Sequence, residues 1–141
     1  LDLYAGTGAV GFEALSRGAQ KVVFVEQNRR AASLIEANRS TLAVDPNTAR
    51  LLMRPALRAI AELARADERF GLAWADPPFE SWSEGLEAVA RAFDAGVLRP
   101  DGLACLECPD GADLAERLLP SLRIERDLKG GASRLVMIVR G

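Results

Sequence analysis

Asp2-Leu3-Tyr4-Ala5-Gly6-Thr7-Gly8-Ala9-Val10-Gly11 opens the chain, and its reading decides the fold. Leu1 to Ala5 reads as the end of a buried strand. Gly6, Gly8 and Gly11 carry the G-x-G-x-x-G spacing. Phe12 to Ser16 then reads as helix, with Gly18 as its stop. A strand, a glycine turn and a helix N-terminus make a ligand cradle. Glycines let backbone approach a ligand where a Cβ would collide, and the first helical N–H groups are open donors. The next apolar run, Lys21-Val22-Val23-Phe24-Val25, ends in Glu26, twenty residues after Gly6. A carboxylate at that distance is placed to accept from both hydroxyls of a ribose. Cradle and carboxylate together point to a cofactor of the adenosine type and leave open which one.

Outward from this unit, strands and helices alternate. Asn28 is placed to cap a helix from Arg29 to about Leu42, with Ala31, Leu34, Ile35 and Asn38 at helical spacing. Asp45-Pro46-Asn47 is a turn, and Ala49 to Met53 a short third strand. Pro55 starts a helix to about Ala66 that buries Leu57, Ile60, Ala61 and Ala64. Phe70 to Ala75 is a fourth strand. Ser83 caps a helix to about Ala95 with Leu86, Val89, Ala90 and Phe93 on its apolar face. Val97 to Pro100 leads through an Asp101-Gly102 turn into a fifth strand, Leu103 to Glu107. Asp113 to Leu119 is a short helix ended by Pro120. Leu122 to Leu128 and Arg134 to Val139 form a final hairpin through Lys129-Gly130-Gly131. Such alternation implies an α/β fold, a mostly parallel sheet with helices on both faces and a closing antiparallel hairpin. A length of 141 residues implies one domain, 1–141. The chain starts on Leu1 with no lead-in to its first strand, so an N-terminal portion of the natural protein is expected to precede it.

Composition narrows the function. Apolar residues make up 49% and charged residues 27%, with net charge −2 and pI near 5.3, an ordinary globular balance. Bulk positive charge for nucleic-acid binding is absent. Apolar runs fall far short of a membrane span and no signal peptide is visible, so a cytoplasmic protein is expected. The chain has no histidine. That excludes serine–histidine and cysteine–histidine hydrolysis and histidine-based zinc sites within it.

Ligands of such sheets bind at the carboxyl ends of the strands. Gly6, Glu26 and Asp76 all fall at strand ends and are expected to meet in one cleft. Asp76-Pro77-Pro78-Phe79 is the second informative stretch. Its prolines fix the backbone and present only carbonyls, and Asp76 is an acceptor too. Two rigid acceptors side by side suit an amino group with two N–H donors. Phe79 offers a face on which a flat base stacks, worth roughly 1–3 kcal/mol.

These stretches together resemble the class I S-adenosylmethionine-dependent methyltransferases. Asp2 to Gly11 resembles their first motif, Glu26 their second, and Asp76 to Phe79 the [DN]-P-P-[FYW] motif of exocyclic-amine methyltransferases. More closely, Leu1 to Ala19, Val25-Glu26, Asp76 to Phe79 and the Lys129-Gly130 turn resemble the RsmD-type 16S ribosomal RNA guanine-N2 methyltransferases. The resemblance implies a three-layer αβα sandwich with a Rossmann-like sheet, S-adenosylmethionine as cofactor, and rRNA methylation at guanine(966)-N(2) of 16S rRNA. Asp76, Pro77, Pro78 and Phe79 would be catalytic. Asp2, Ala5, Gly6, Thr7, Gly8, Gly11, Glu26, Gln27, Ala56 and Asp76 would hold the cofactor. The implied partner is 16S rRNA within a small ribosomal subunit or assembly intermediate; a monomer is expected, with no metal and no membrane. Two departures stand out. Pro55 occupies a position where family members usually carry Asn or Asp to accept from the cofactor's adenine amine, leaving the backbone N–H of Ala56 for that ring. The family's basic RNA-binding segment before the first strand is absent from the chain.

Other residues read less sharply. Cys105 and Cys108 form a lone C-x-x-C, without a second pair or an activating helix N-terminus, and read as buried structural thiols. Glu107 either rims the cleft or is simply solvated. Trp74 reads as core and Trp82 as near the substrate opening. Arg29, Arg30, Arg54 and Arg58 read either as contacts to RNA phosphate or as solvated helix-face arginines. Competing functions are a nicotinamide-dependent dehydrogenase on the same glycine cradle, a methyltransferase acting on adenine in DNA, cytosine or a protein glutamine, and a cofactor-binding module without activity.

Overall fold

The computed structural model describes residues 1–141. Its strands are β1 (Asp2–Leu3), β2 (Val22–Val25), β3 (Ala49–Leu52), β4 (Phe70–Ala75), β5 (Leu98–Pro109), β6 (Leu122–Gly130) and β7 (Ser133–Arg140). Its helices are α1 (Ala9–Ser16), α2 (Arg29–Thr41), α3 (Ala56–Arg65), α4 (Trp82–Asp94) and α5 (Leu114–Arg117), with a 3₁₀ turn at Phe79–Ser81. The strand order is β3-β2-β1-β4-β5-β7-β6 in one seven-stranded sheet. β1 with β2, β2 with β3 and β4 with β5 pair parallel, while β7 pairs antiparallel with both β5 and β6. This is the expected α/β sheet, parallel until its C-terminal hairpin. No helix is long and apolar enough to cross a membrane. The chain forms two compact units, Leu1–Ala59 and Ile60–Gly141.

In the first unit, β2 is buried at every position, as a strand covered on both faces must be. Phe24 packs at 4.8 Å between ring centroids against Phe12 of α1. Val22, Phe24, Ile35 and Ala49 form the core here, with Ala5, Phe12, Leu15 and Leu51 packed against it. Each large side chain so buried stabilises by roughly 1.5–3 kcal/mol. Asn28 caps α2 as expected, its side chain accepting from the N–H groups of Arg30 and Ala31. The face of α2 differs from expectation: Ala32 and Ile35 are buried, while Leu34 is half exposed. α3 shows the same one-residue offset. It buries Ala56, Ala59, Ile60 and Leu63, and leaves Leu57 and Ala61 exposed. A three-or-four spacing fits two neighbouring registers almost equally well, and packing chooses between them.

β1 is shorter than the expected Leu1–Ala5 because Tyr4 takes a left-handed φ of 61°, which ends extended backbone. α1 begins three residues earlier than expected, at Ala9, since Gly8 at φ 83° already turns the chain into the helix.

In the second unit, the expected Asp101-Gly102 turn is a bulge inside a continuous β5. Phe70 pairs with Leu98 and Leu72 with Leu103, so two steps on β4 oppose five on β5. Gly102 is required there: a Cβ would lie 2.9 Å from the Arg99 carbonyl oxygen. α4 buries Leu86, Val89 and Phe93 as expected, and also Gly85, Ala88 and Ala92. The hairpin turn is Gly131-Ala132 rather than Lys129-Gly130-Gly131, since Gly130 still pairs with Ser133. Gly131 at φ 68° supplies the positive φ that a two-residue hairpin turn needs at its first position. α5 is a single turn, shorter than the expected Asp113–Leu119.

Candidate active site

The glycine loop is built by backbone and braced by two carboxylates. After Tyr4, the N–H of Ala5 donates to the Val25 carbonyl at 2.9 Å, and the N–H of Gly8 returns to the Ala5 carbonyl at 2.8 Å. Tyr4, Gly6 and Gly8 all have positive φ, so the chain coils tightly between β1 and α1. A bulky tyrosine in that region is strained by about 1–3 kcal/mol and persists only where its surroundings hold it. Asp2 is the one buried charged residue, and it accepts from the N–H of Gly11 at 3.0 Å. It thereby fixes the first turn of α1 from beneath. Thr7 is exposed at the tip, its carbonyl accepting from the Asn38 amide at 3.0 Å.

Glu26 brings the two expected cofactor segments together. One carboxylate oxygen accepts from the N–H of Gly6 and the other from the N–H of Asn28, each at 2.8 Å. A carboxylate has about four acceptor sites, so two remain for hydroxyls. Gln27 beside it is exposed.

Each glycine of the motif has its own reason. At Gly11 a Cβ would lie 2.2 Å from Phe24 Cε1, so the side chain is excluded by packing. At Gly8 it would lie 2.8 Å from Phe12 Cε2. At Gly6 it would meet nothing within 4 Å, although φ is 59°. Gly6 therefore faces open space on a left-handed backbone, where a ligand can approach the main chain. Gly8 offers α1 no side-chain cap. The open face at Gly6, the lack of a capping side chain at Gly8 and the remaining acceptor sites of Glu26 fit an adenosine cofactor with a charged tail.

Ala56 starts α3 and is buried. Pro55 stands just outside the helix as its cap residue, since its carbonyl accepts from the N–H of Ala59 at 3.0 Å. Its ring has no acceptor for the first N–H groups of α3.

The second unit carries the acceptor motif. Asp76 follows β4 and is solvent-exposed at the strand end, as expected. Partial burial of its carboxyl pushes its pKa above the usual carboxylate range, and the Glu107 carboxylate adds like-charge repulsion. Ala75 pairs with Leu106, which sets Asp76, just past the end of β4, beside Glu107 within β5. Glu107 thus acts on Asp76 rather than standing apart in solvent. Pro77 is buried and Pro78 exposed. Their carbonyls differ: that of Pro78 accepts from the N–H of Ser81 at 2.8 Å, closing the 3₁₀ turn. Phe79 in that turn is 44% exposed, an aromatic face held at the surface. Trp82 is half buried, with the Arg117 guanidinium 5.5 Å from its ring centroid. Trp74 is half buried, not a full core residue. Cys105 and Cys108 are buried free thiols, and burial pushes both pKa values up.

Gly85 belongs to this site and was not singled out by the sequence. A Cβ there would lie 2.6 Å from Pro77 Cγ and 3.1 Å from Leu106 Cδ1. Its absence lets α4 press against Pro77 and seat the motif. The available signal was a glycine inside an otherwise apolar helical pattern, which weakens a helix unless packing demands it.

The chain can be compared with known proteins. The family described as "Conserved hypothetical protein 95" matches residues 1–139. Ribosomal RNA small subunit methyltransferase D of Haemophilus influenzae is 31% identical over 107 residues, which are 76% of this chain and 54% of that protein. The chain spans 51% to 62% of the length of the curated relatives it matches. A conserved hypothetical protein of Streptococcus pyogenes has a solved structure that superposes with TM-score 0.86 at 28% identity, covering 99% of this chain and 84% of that one. A structure complexed with SAH shares the fold alone, with TM-score 0.75 at 12% identity over 97% of this chain and 43% of its own. The sheet, the glycine loop and these relatives agree, and the chain belongs to the Conserved hypothetical protein 95 family, the RsmD-type methyltransferases.

Proposed function

We propose that the protein transfers a methyl group from S-adenosylmethionine to the exocyclic N2 amine of a guanine in 16S rRNA. The observation that carries this reading is the Asp76-Pro77-Pro78-Phe79 motif at the end of β4, fixed in backbone by its prolines and with Asp76 exposed. The name of the Haemophilus influenzae relative supports an rRNA substrate of the small subunit. The substrate is either the small ribosomal subunit or an intermediate in its assembly.

Bound S-adenosylmethionine supplies an electrophilic methyl on a sulfonium, which is the hard part of the chemistry. The residues of the first unit bind and orient. Glu26 would accept from the ribose hydroxyls while holding Gly6, whose missing side chain would leave its backbone open to the cofactor. Ala56 offers its N–H to the adenine ring. Asp76 and the Pro77 carbonyl accept the two N–H groups of the guanine amine. Its nitrogen lone pair is delocalised into the ring and is a poor nucleophile. Two fixed acceptors would orient that lone pair and favour pyramidal nitrogen as positive charge develops, and the nitrogen's surplus proton would leave to the Asp76 carboxylate or to water. The second acceptor is assigned to Pro77 in preference to Pro78, whose carbonyl already uses one of its two lone pairs to close the 3₁₀ turn. Phe79 stacks the base, which must leave any duplex or stack to reach it. Positioning of this kind supplies much of the rate when reacting atoms are held about 3–3.5 Å apart.

The test is methylation of small ribosomal subunits and of naked 16S rRNA with labelled S-adenosylmethionine, followed by mapping of the modified nucleoside. N2-methylguanosine is expected. Asp76→Ala should abolish transfer and leave cofactor affinity within a few-fold. Near-normal turnover in that variant, or a methylated adenine or protein glutamine in its place, overturns the reading. Binding of NADH in preference to S-adenosylmethionine would point to a dehydrogenase.

A further inference from the structure

The chain's net charge of −2 conceals an uneven distribution. Leu1–Ala59 carries eight basic and five acidic side chains, a formal +3, whereas Ile60–Gly141 carries ten basic and fifteen acidic, a formal −5. Within the first unit the positive charge is concentrated at one edge. β2 and β3 run parallel with Val25 opposite Leu52, and the N–H of Glu26 donates to the Leu52 carbonyl at 3.2 Å. The two strands therefore end side by side, and the helices that follow them start from the same edge. α2 starts on Arg29-Arg30, and α3 carries Arg58 in its first turn, with Arg54 between β3 and α3. All four arginines are exposed.

This placement runs against helix electrostatics. A helix N-terminus carries roughly half a positive charge and favours Asp or Glu in its first turn, by about 0.3–1 kcal/mol per charge. Neither α2 nor α3 has an acid there. The acids of this unit lie elsewhere. Asp2 is buried beneath Gly11, Glu13 pairs with Arg17 and Glu36 with Arg39. Glu26 holds Gly6 and Asn28, and Asp45 accepts from the N–H of Asn47. Two neighbouring helices thus add cations to ends that are already positive, beside the glycine loop that Glu26 braces. A local choice that opposes helix stability is the mark of a site maintained for something other than the fold.

We infer that Arg29, Arg30, Arg54 and Arg58 form a rim that contacts the phosphate backbone of the RNA substrate. The inference rests on the rRNA-methylation reading and adds the surface that holds the strand while a base is presented. Exposed guanidinium groups on preformed helix ends suit phosphate oxygens, which they meet through paired N–H donors. Backbone contacts of this kind fix register and orientation without reading sequence.

The test compares the full chain with Arg29→Gln/Arg30→Gln/Arg58→Gln, using 16S rRNA transcript as the probe. A charge-matched control, Arg99→Gln/Arg123→Gln/Arg126→Gln, removes three exposed arginines from the second unit. Affinity for the transcript is measured across a salt series, and S-adenosylmethionine affinity alongside. The rim variant should lose on the order of 30-fold in RNA affinity, about three-fold per contact, and its salt slope should fall by about 2–3. Its cofactor affinity should stay within two-fold, which also reports that it is folded. The control should lose less than about three-fold. Equal losses in both variants, or an unchanged slope in the rim variant while the parent chain methylates the transcript, overturn the rim and leave the methylation reading standing. A parent chain that binds neither the cofactor nor the transcript overturns both.

Discussion

Gly11 lies against the ring of Phe24: a Cβ added at Gly11 would sit 2.2 Å from Phe24 Cε1 and 2.8 Å from Val22 Cγ1. Both neighbours are buried core side chains on β2 and have nowhere to retreat. Gly11→Ala is therefore expected to destabilise the fold by about 2–3 kcal/mol through overpacking. Gly6→Ala meets no neighbour within 4 Å and carries only the strain of φ 59°, about 1–2 kcal/mol. Its effect should fall on the cofactor instead, because the new methyl stands where the ligand approaches the backbone. Thermal unfolding and titration with S-adenosylmethionine separate the two. Gly11→Ala should show the larger drop in Tm, and Gly6→Ala the larger loss of affinity relative to its drop in Tm. The reverse ranking would mean that the open face of Gly6 is not the ligand face.

Gly85 makes a comparable prediction for the acceptor motif. Alanine inside a helix is normally about 0.8–1 kcal/mol better than glycine. Here its Cβ would lie 2.6 Å from the rigid ring of Pro77. Gly85→Ala is expected to leave overall stability nearly unchanged, as helix gain offsets the clash, while displacing Pro77 and its carbonyl. Methyl transfer should fall at least about ten-fold, since a shift of 1 Å in a positioning group costs up to about 100-fold. Cofactor affinity should hold. Unchanged turnover would show that α4 does not set the position of Pro77.

Pro55 leaves a helix start without a side-chain cap and, on the proposed reading, the cofactor's adenine amine without a side-chain acceptor. It stands at the cap of α3, with its carbonyl bonded to Ala59 and no side-chain acceptor for the helix's first N–H groups. An Asp cap is worth about 1 kcal/mol, and loss of the proline's rigidity takes back about 0.4–1 kcal/mol. Pro55→Asp should therefore change stability by less than about 1 kcal/mol. If the new carboxylate accepts from the adenine amine, cofactor affinity should rise about three- to ten-fold, one hydrogen bond's worth. Calorimetric titration of both proteins measures it. No gain in affinity would mean that the adenine is held from another side.

How much of this was legible in the sequence depended on how local the cause was. The Asn28 cap, the glycine loop and the strand ahead of Asp76 follow from neighbouring residues, and each stands where its spacing put it. The buried faces of α2 and α3 did not follow. Leu34, Leu57 and Ala61 look buried by period, yet the helices are rotated by one position, because rotation is set by the partner surface. The β5 bulge was equally hidden: Asp101-Gly102 has the composition of a turn, and only pairing with β4 keeps it in the strand. Glu107 stayed ambiguous and Gly85 went unmarked for the same reason. Their neighbours, Asp76 and Pro77, come from elements distant in the chain.

The Asp76–Glu107 pair gives the last prediction, and its sign is fixed by the raised pKa of Asp76. On the proposed reading Asp76 accepts from a substrate N–H; protonation weakens it as an acceptor and adds an O–H donor beside the amine's own donors. The acid limb of the pH dependence of kcat/KM should thus lie above the range of an ordinary aspartate. Glu107→Gln removes the repulsion and should move that limb to lower pH. The movement should be partial, because burial of Asp76 is the larger cause and remains. Stability responds in the opposite sense. The folded chain binds the Asp76 proton more tightly than the unfolded chain, so the ionised group opposes folding at neutral pH. That penalty shrinks as pH falls through the folded-state pKa and vanishes below the unfolded one. Asp76→Asn should accordingly unfold at a Tm no lower than the parent at pH 7, with any advantage gone below about pH 3.8. A lower Tm at neutral pH would show that the ionised carboxylate supports the fold, and a limb that stays put in Glu107→Gln would show that the two charges do not interact.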